Sequence, residues 1–255
     1  MHRFFLPPQH WDEATPKLDA DESHHATEVL RLEDGARLTI FDGCGREAMA
    51  TISGIESKIV RLKIGAASRQ AHLAAEITLV QAVPKGKNMD LIVQKAVELG
   101  ASRIIPVLSE RTIVRLEPGE AARKAAKWHQ VALEACKQCG QNRIPVIDPP
   151  GPLAAVFSRG DLPELMLVAS LQPDARPIKR ILAEFTTDHG RLPESAAAFI
   201  GPEGDFTPAE LALAKSQGCL PVTLGPIILR TETAAIYCLS VLAHELLTEH
   251  LPGHP

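Results

Sequence analysis

Between Phe199 and Ala234 the chain gathers a set of groups able to do chemistry: Glu203, Asp205, Arg230, Thr231, Glu232 and Thr233, spread around two glycine-proline turns. Gly201-Pro202 follows the apolar run Ala196–Ile200, and Gly225-Pro226 follows Pro221–Leu224. Glycine lets backbone approach a ligand closely, and ligands of open α/β sheets bind at the carboxyl ends of strands. Two such turns close in sequence suggest one pocket built from both. Glu203 and Asp205 are two residues apart with no His or Cys close by in sequence, a poor donor set for a metal. There is no G-x-S-x-G, Walker A or G-x-G-x-x-G sequence, which argues against serine hydrolase, P-loop and dinucleotide chemistry. The turns lack the run of amide donors a pyrophosphate needs. They suit an aromatic base with polar edges, read by backbone groups in an apolar slot. That both turns are tight loops and nothing more stays open on these residues alone.

The elements that must position these groups follow from periodicity. From Ala75 onward strand and helix alternate, the pattern of a largely parallel sheet. Strands are expected at Glu76–Val83, Ser102–Leu108, Glu164–Ser170, Ala196–Ile200 and Pro221–Leu224. Helices are expected at Asn88–Gly100, Gly119–Gly140 and Pro177–Phe185. Thr207-Pro-Ala-Glu210 is a capping box with proline at the first helical position, a strong helix start. The last helix, Thr231–Leu247, is apolar nearly all round, so it must be buried in its own core or against a partner subunit. Residues 1–72 read differently: one helix over Asp21–Arg31, then short strands at Arg37–Phe41, Glu47–Ile55 and Ile59–Ile64, the pattern of a small barrel. Gly65–His72 reads as a linker, which divides the chain into domains 1–72 and 73–255.

The 255 residues suffice for two modest domains. The N-terminus lacks the apolar core of a signal peptide, and the longest near-apolar run, Ala234–Ala243, is too short to span a bilayer. A cytoplasmic protein without a membrane segment is expected. The five cysteines are odd in number and scattered, which fits reduced thiols; Cys136-Lys-Gln-Cys139 closes a helix instead of opening one, so it reads as helix packing and not as a redox site. The net charge of −4 is unevenly placed: 11 Lys and Arg against 6 Asp and Glu from Pro84 to Pro145, net +5, and 7 against 13 from Val146 on, net −6. A basic middle is compatible with an anionic partner on one face, as is a solvated charged helix.

Gly201-Pro-Glu-Gly204, Leu224-Gly-Pro226 and Leu229-Arg-Thr-Glu-Thr-Ala234 together resemble the RsmE family of the SPOUT methyltransferases. The resemblance extends upstream through Pro84–Gly100, Ser109–Arg115, Gln138–Gly140 and Arg143–Pro145. At the start, Arg3-Phe-Phe, His24-His25 and Val29-Leu-Arg31 resemble the family's RNA-binding part, so nearly the whole chain is covered. It implies an α/β fold: a PUA-like β-barrel at 1–72, then a SPOUT domain at 73–255 whose C-terminal segment forms a trefoil knot. It implies S-adenosylmethionine as cofactor, 16S ribosomal RNA of the small subunit as partner, a homodimer and no metal. The implied reaction is methylation at N3 of a uridine.

By the same resemblance the cofactor would be lined by Leu171, Ile200, Gly201, Pro202, Glu203, Gly204, Leu224, Gly225, Pro226, Leu229, Arg230, Thr231, Thr233 and Ala234. Arg230 and Glu232 are the catalytic candidates, Arg230 for charge on the uracil carbonyls and Glu232 to orient it or take the proton. A structural ion pair of Arg230 with Glu232 or Glu203 is the competing use. Arg3, Arg31, Lys85, Lys87, Arg111 and Arg115 are the candidate phosphate contacts. The chain departs from the family at Asp205 (usually glycine), Ile227 (usually arginine) and Gln141 (usually arginine). Two rival readings remain: a SPOUT ribose 2′-O-methyltransferase, and an RNA-binding knot protein weakened in catalysis.

Overall fold

The computed structural model describes residues 1–248 other than Glu13, Arg115 and Pro118. It divides into two compact units, Met1–His72 with Leu133–Ile144, and Leu73–Ala132 with the chain from Pro145 on. The sequence placed 133–144 in the second domain. By its contacts the segment groups with the first unit, which supplies several of its partners. Arg143 Nη1 donates to the Cys44 carbonyl (2.9 Å), Ile144 N donates to the Gly43 carbonyl (3.0 Å), and Asn142 Oδ1 accepts from Arg3.

In the first unit, β1 (Arg3–Phe5), β2 (Arg37–Phe41), β3 (Arg46–Glu56) and β4 (Ile59–Arg69) form one sheet in that order. β1 runs parallel to β2 and the other pairs are antiparallel. Bulges between Ala48 and Ala50 and between Ile52 and Gly54 curve β3 around a core that includes Phe4, Leu6, Trp11, Leu38 and Ile52. β4 extends to Arg69 because residues 67–69 pair with Arg46–Ala48, so most of the expected linker is strand. Its side chains there are small and polar and largely exposed, which hides the strand from a hydrophobic pattern. Asp19 caps α1 (Ala20–His24), accepting from Glu22 N, and the helix runs on through a wider turn over His25–Val29. Arg31 then takes a left-handed φ of 53°.

In the second unit, β5 (Glu76–Ala82), α2 (Asn88–Glu98), β6 (Ala101–Leu108) and α3 (Glu120–Cys139) open the alternation. It continues with β7 (Val146–Ile147), β8 (Gly151–Pro152), α4 (Leu153–Phe157), β9 (Leu165–Ala169), β10 (Arg176–Pro177) and α5 (Ile178–His189). β11 (Ser195–Ile200), α6 (Pro208–Ser216), β12 (Leu220–Thr223) and α7 (Thr231–Leu247) complete it. The sheet runs β10-β12-β9-β11-β5-β6-β7, with β8 also on β6, and every pair is parallel. β5, β9 and β11 are buried nearly throughout, as expected of parallel strands covered on both faces. One face packs Val80, Ile105, Val168, Ala197 and Phe199 against Val156, Phe206 and Leu211. On α7, Ala235, Cys238, Leu239 and Leu242 are buried, and the helix packs on α2, β5 and β11. Among the described residues no helix is long and apolar enough to cross a membrane.

Cys136 is buried, its thiol pushed up to about 12 by burial, and it donates to the Arg143 carbonyl at 3.7 Å, while Cys139 is exposed. Near it, Lys137 pairs with Glu22, whose side chain is 6% exposed, and with Glu134 at 2.9 Å. Burial raises the Glu22 carboxyl above its ordinary value. Burial alone would lower the Lys137 ammonium, but the hydrogen bonds to Glu22 and Glu134 outweigh it and the group is raised. Removing one partner strands a buried charge. Lys137→Met is therefore expected to cost about 3 kcal/mol at pH 7, read from chemical denaturation. Because the stranded carboxyl has a raised folded pKa, protonation relieves it, so the deficit should shrink as the pH falls toward the carboxylate range. A deficit that does not change between pH 7 and pH 4.5 would remove Glu22 from the explanation.

Candidate active site

Parallel strands leave their carboxyl ends as the place where loops can converge. The ends of β9, β11 and β12 do so here. Ala169–Leu171, Ile200–Glu203 with Asp205, and Leu224–Gly225 with Ile227–Leu229 surround a cleft that Thr231 and Ala234 of α7 close from the side. Its empty space is about 630 Å³, mouth included. The two glycine-proline turns form facing walls of one cleft, and the wall atoms are backbone and aliphatic carbon for the most part.

A few polar contacts fix these walls. Thr231 Oγ1 donates to the Gly201 carbonyl at 2.7 Å and accepts from Gln81 Nε2 at 2.9 Å. Lys85 N donates to Glu203 Oε1 at 3.1 Å, and Arg111 Nη1 donates to the Gly204 carbonyl at 2.6 Å. The capping box forms as its sequence requires, and Glu210 also accepts from Glu110 N at 2.9 Å, so the loop after β6 is tied to α6. Within the turn, Asp205 N donates to the Pro202 carbonyl and Asp205 Oδ1 accepts from Phe206 N at 2.7 Å. Asp205 has φ 62°, in the left-handed region. That conformation suits the glycine the family resemblance implies at this position, and it tolerates Asp, whose short side chain bonds the backbone of the next residue there. Space at Gly201 is tight: a Cβ would lie 3.1 Å from both Asp205 Oδ1 and Phe206 N.

α7 begins without a side-chain cap on its first N–H groups, unlike α6, which Thr207 caps. Those donors and the positive end of the helix dipole face the region of Leu229 and Thr231, a setting that suits a carboxylate or another anionic group. Arg230, at the N-cap, is exposed, and among the described residues neither it nor Glu232 makes an ion pair or side-chain hydrogen bond. The competing structural pair with Glu203 is not formed, since Glu203 faces Lys85 N.

Of the residues expected around a cofactor, Leu171, Ile200, Gly201, Pro202, Glu203, Leu224, Gly225, Leu229, Thr231 and Ala234 line the cleft. Gly204 and Pro226 in the turns, Arg230 at the N-cap of α7 and Thr233 in its first turn do not line it. Ala169 and Ser170 line it without having been singled out, and Asp205, Ile227 and Ile228 of the two turns line it as well. Gln81, fully buried beneath it, was also missed. A lone amide in the apolar run Ile77–Val83 was the signal for Gln81.

The candidate phosphate contacts separate in the structure. Arg3 is 16% exposed in its side chain, pairs with Glu47 at 3.2 Å, lies over the Phe41 ring and donates to Asn142, so it is tied into its own unit. Arg31, Lys85 and Lys87 are exposed with no side-chain partner among the described residues. Arg111 is exposed but engaged with Gly204. Arg115 lies outside the described residues. Among the described residues no group of three or more His, Cys, Asp or Glu side chains is placed to hold a metal ion.

A parallel α/β sheet with its cleft at the strand ends follows a small β unit, and sequence comparison assigns the chain to a class of RNA-modifying transferases. Residues 71–243 match the RNA methyltransferase domain family and residues 18–65 match its PUA domain, so the chain belongs to this RNA methyltransferase family. It is 30% identical over 259 residues to the ribosomal RNA small subunit methyltransferase E of Bacillus subtilis, covering 99% of both chains. It is similar to a Legionella pneumophila methyltransferase solved with S-adenosylmethionine (TM-score 0.85, 32% identity, 96% and 98% of the two chains). It is also similar to the ribosomal RNA small subunit methyltransferase E of Neisseria gonorrhoeae bound to the same molecule (TM-score 0.82, 30% identity, 96% and 98%).

The left-handed turn gives a direct test. Asp205→Gly should leave stability within about 1 kcal/mol of the parent, because glycine takes this φ freely. Asp205→Val should lose about 2 kcal/mol, since a β-branched residue resists the conformation and the bond to Phe206 N disappears. Equal denaturation midpoints for the two variants would show that the turn relaxes around either residue.

Proposed function

We propose that this protein transfers a methyl group from S-adenosylmethionine to N3 of a uridine in 16S ribosomal RNA, acting as a cytoplasmic homodimer. The observation that carries this reading is the cleft itself, two glycine-proline turns held face to face beneath an uncapped helix start. The donor set fits the cofactor. Backbone groups of the turns at Gly201 and Gly225 and the aliphatic side chains of Leu171, Ile200 and Leu229 suit an adenine ring. The N–H groups opening α7 suit a carboxylate. When bound, the cofactor supplies an activated methyl group on sulfur.

The chain's own residues then have two tasks. N3 of uridine carries a proton at neutral pH, and negative charge grows on the uracil carbonyls as it leaves. Arg230, free and exposed beside the cleft, is placed to stabilise that charge, and Glu232 in the first turn of α7 to accept the proton or orient Arg230. Arg31, Lys85 and Lys87 have ammonium or guanidinium groups available for the RNA backbone. The target base must leave its stack to be reached.

The dimer reading rests on α7. Its far side presents Ile236, Tyr237 and Val241 along a shallow groove, with Tyr237 46% exposed, an apolar strip suited to a second copy of the helix. β12 lies between β9 and β10 while α7 returns to β5 and β11, a chain path that supports the C-terminal trefoil knot implied by the family resemblance.

Nucleoside mass spectrometry of 16S RNA treated with the protein should show 3-methyluridine; 2′-O-methyl nucleosides in its place would establish the ribose reading. Arg230→Ala should lower turnover at least about 100-fold with the dimer intact, the scale of losing one stabilising donor in a transition state. Unchanged turnover would exclude Arg230 from the chemistry. Tyr237→Asp should convert dimer to monomer in light scattering at micromolar concentration, and an unaltered mass would place the interface elsewhere.

A further inference from the structure

We infer that Gln81 is a positioning residue for the cleft, acting through Thr231 to set the spacing of its two walls; this rests on the reading that S-adenosylmethionine binds there. Gln81 sits in the interior strand β5, in register with Ile200 on β11 and Pro106 on β6, and is fully buried. Its Nε2 donates to the Ala82 carbonyl at 2.8 Å and to Thr231 Oγ1 at 2.9 Å. Chemistry fixes this amide orientation. Ala82 O only accepts, and the Thr231 hydroxyl spends its one proton on the Gly201 carbonyl at 2.7 Å, so it must accept from Gln81. A directed relay therefore runs from β5 through the start of α7 to the end of β11. It joins residues 81, 201 and 231, from three segments far apart in sequence, two of which line the cleft.

Packing alone does not account for the amide. Gln81 Oε1 is buried without a hydrogen-bond partner among the described residues, a cost that an aliphatic side chain like those of Ile77, Leu79 and Val80 in the same strand would avoid. What the amide supplies is a donor that holds the Thr231 hydroxyl in one rotamer, with its proton aimed at Gly201. Without it the hydroxyl is free to turn away, and the Gly201 turn loses its anchor to α7.

The test is titration calorimetry of the full chain with S-adenosylmethionine, at a temperature where circular dichroism shows every variant folded. Gln81→Leu and Thr231→Val should each weaken binding about tenfold. Because they break one relay, the double variant should be no weaker than the worse single one. Thr231→Ser, which restores the hydroxyl, should recover most of the loss seen in Thr231→Val. Single variants that bind within twofold of the parent, or losses that multiply in the double variant, overturn the relay. If the Gln81 variant does not fold, the Thr231→Val and Thr231→Ser pair decides alone, equal affinities for the two refuting it. A parent chain that fails to bind the probe removes the cofactor reading and the relay with it, whereas a binding parent with unaffected variants removes the relay only.

Discussion

Covering both faces of a parallel sheet is the constraint on which the second unit depends. β5, β9 and β11 expose almost nothing along their length, because helices must bridge every parallel pair and so lie on the faces. Polar chemistry is thereby expelled to the strand ends. The two glycine-proline turns stand at the ends of β11 and β12, and the uncapped start of α7 arrives between them. The location of the cleft is in this sense a consequence of burying Ile77, Leu79, Phe199 and Val168.

Once placed there, the turns need anchoring, since loops carry few buried contacts of their own. The anchors come from outside the cleft and are mostly backbone directed. Lys85 N holds Glu203, Arg111 holds the Gly204 carbonyl, and Glu210 links the loop after β6 to the helix that follows the turn. The turn also stores a local conformational cost in the left-handed Asp205, which its own carboxylate offsets by bonding Phe206 N.

Much of this was legible in the sequence. Alternating apolar runs and helical stripes located every strand and helix that contributes a cleft residue, and the capping box at Thr207–Glu210 formed as written. What escaped has physical reasons. β4 beyond Ile64 carries Gly, Ala, Ser and Arg, so its pairing with β3 leaves no hydrophobic trace. The return of 133–144 to the first unit depends on contacts of Asn142 and Arg143 with residues about 100 or more positions away in sequence, which no local pattern encodes. Arg3 looked like a surface cation because its type is charged, yet Glu47, Phe41 and Asn142 enclose it. Gln81 went unnoticed because the two buried polar residues of this strand, Thr78 and Gln81, lie three apart and set no strand period.

The exposed cations near the cleft differ in what their side chains hold. Arg111 is exposed and cationic, but its guanidinium also supports the Gly204 carbonyl. Removing it deletes a positive charge and loosens the turn together, so a weaker RNA complex would not separate the two effects. Lys87 has no side-chain partner among the described residues and lies on the loop between β5 and α2. Its loss alters charge without altering any bond to the turn. Lys85 is intermediate, because its contact with Glu203 uses the backbone N–H and survives substitution of the side chain. The loops flanking the cleft thus contain cations that support the turn and cations that do not. Only the second kind isolates the electrostatic contribution to RNA binding, whose mark is a salt dependence that becomes shallower as fewer phosphates are neutralised.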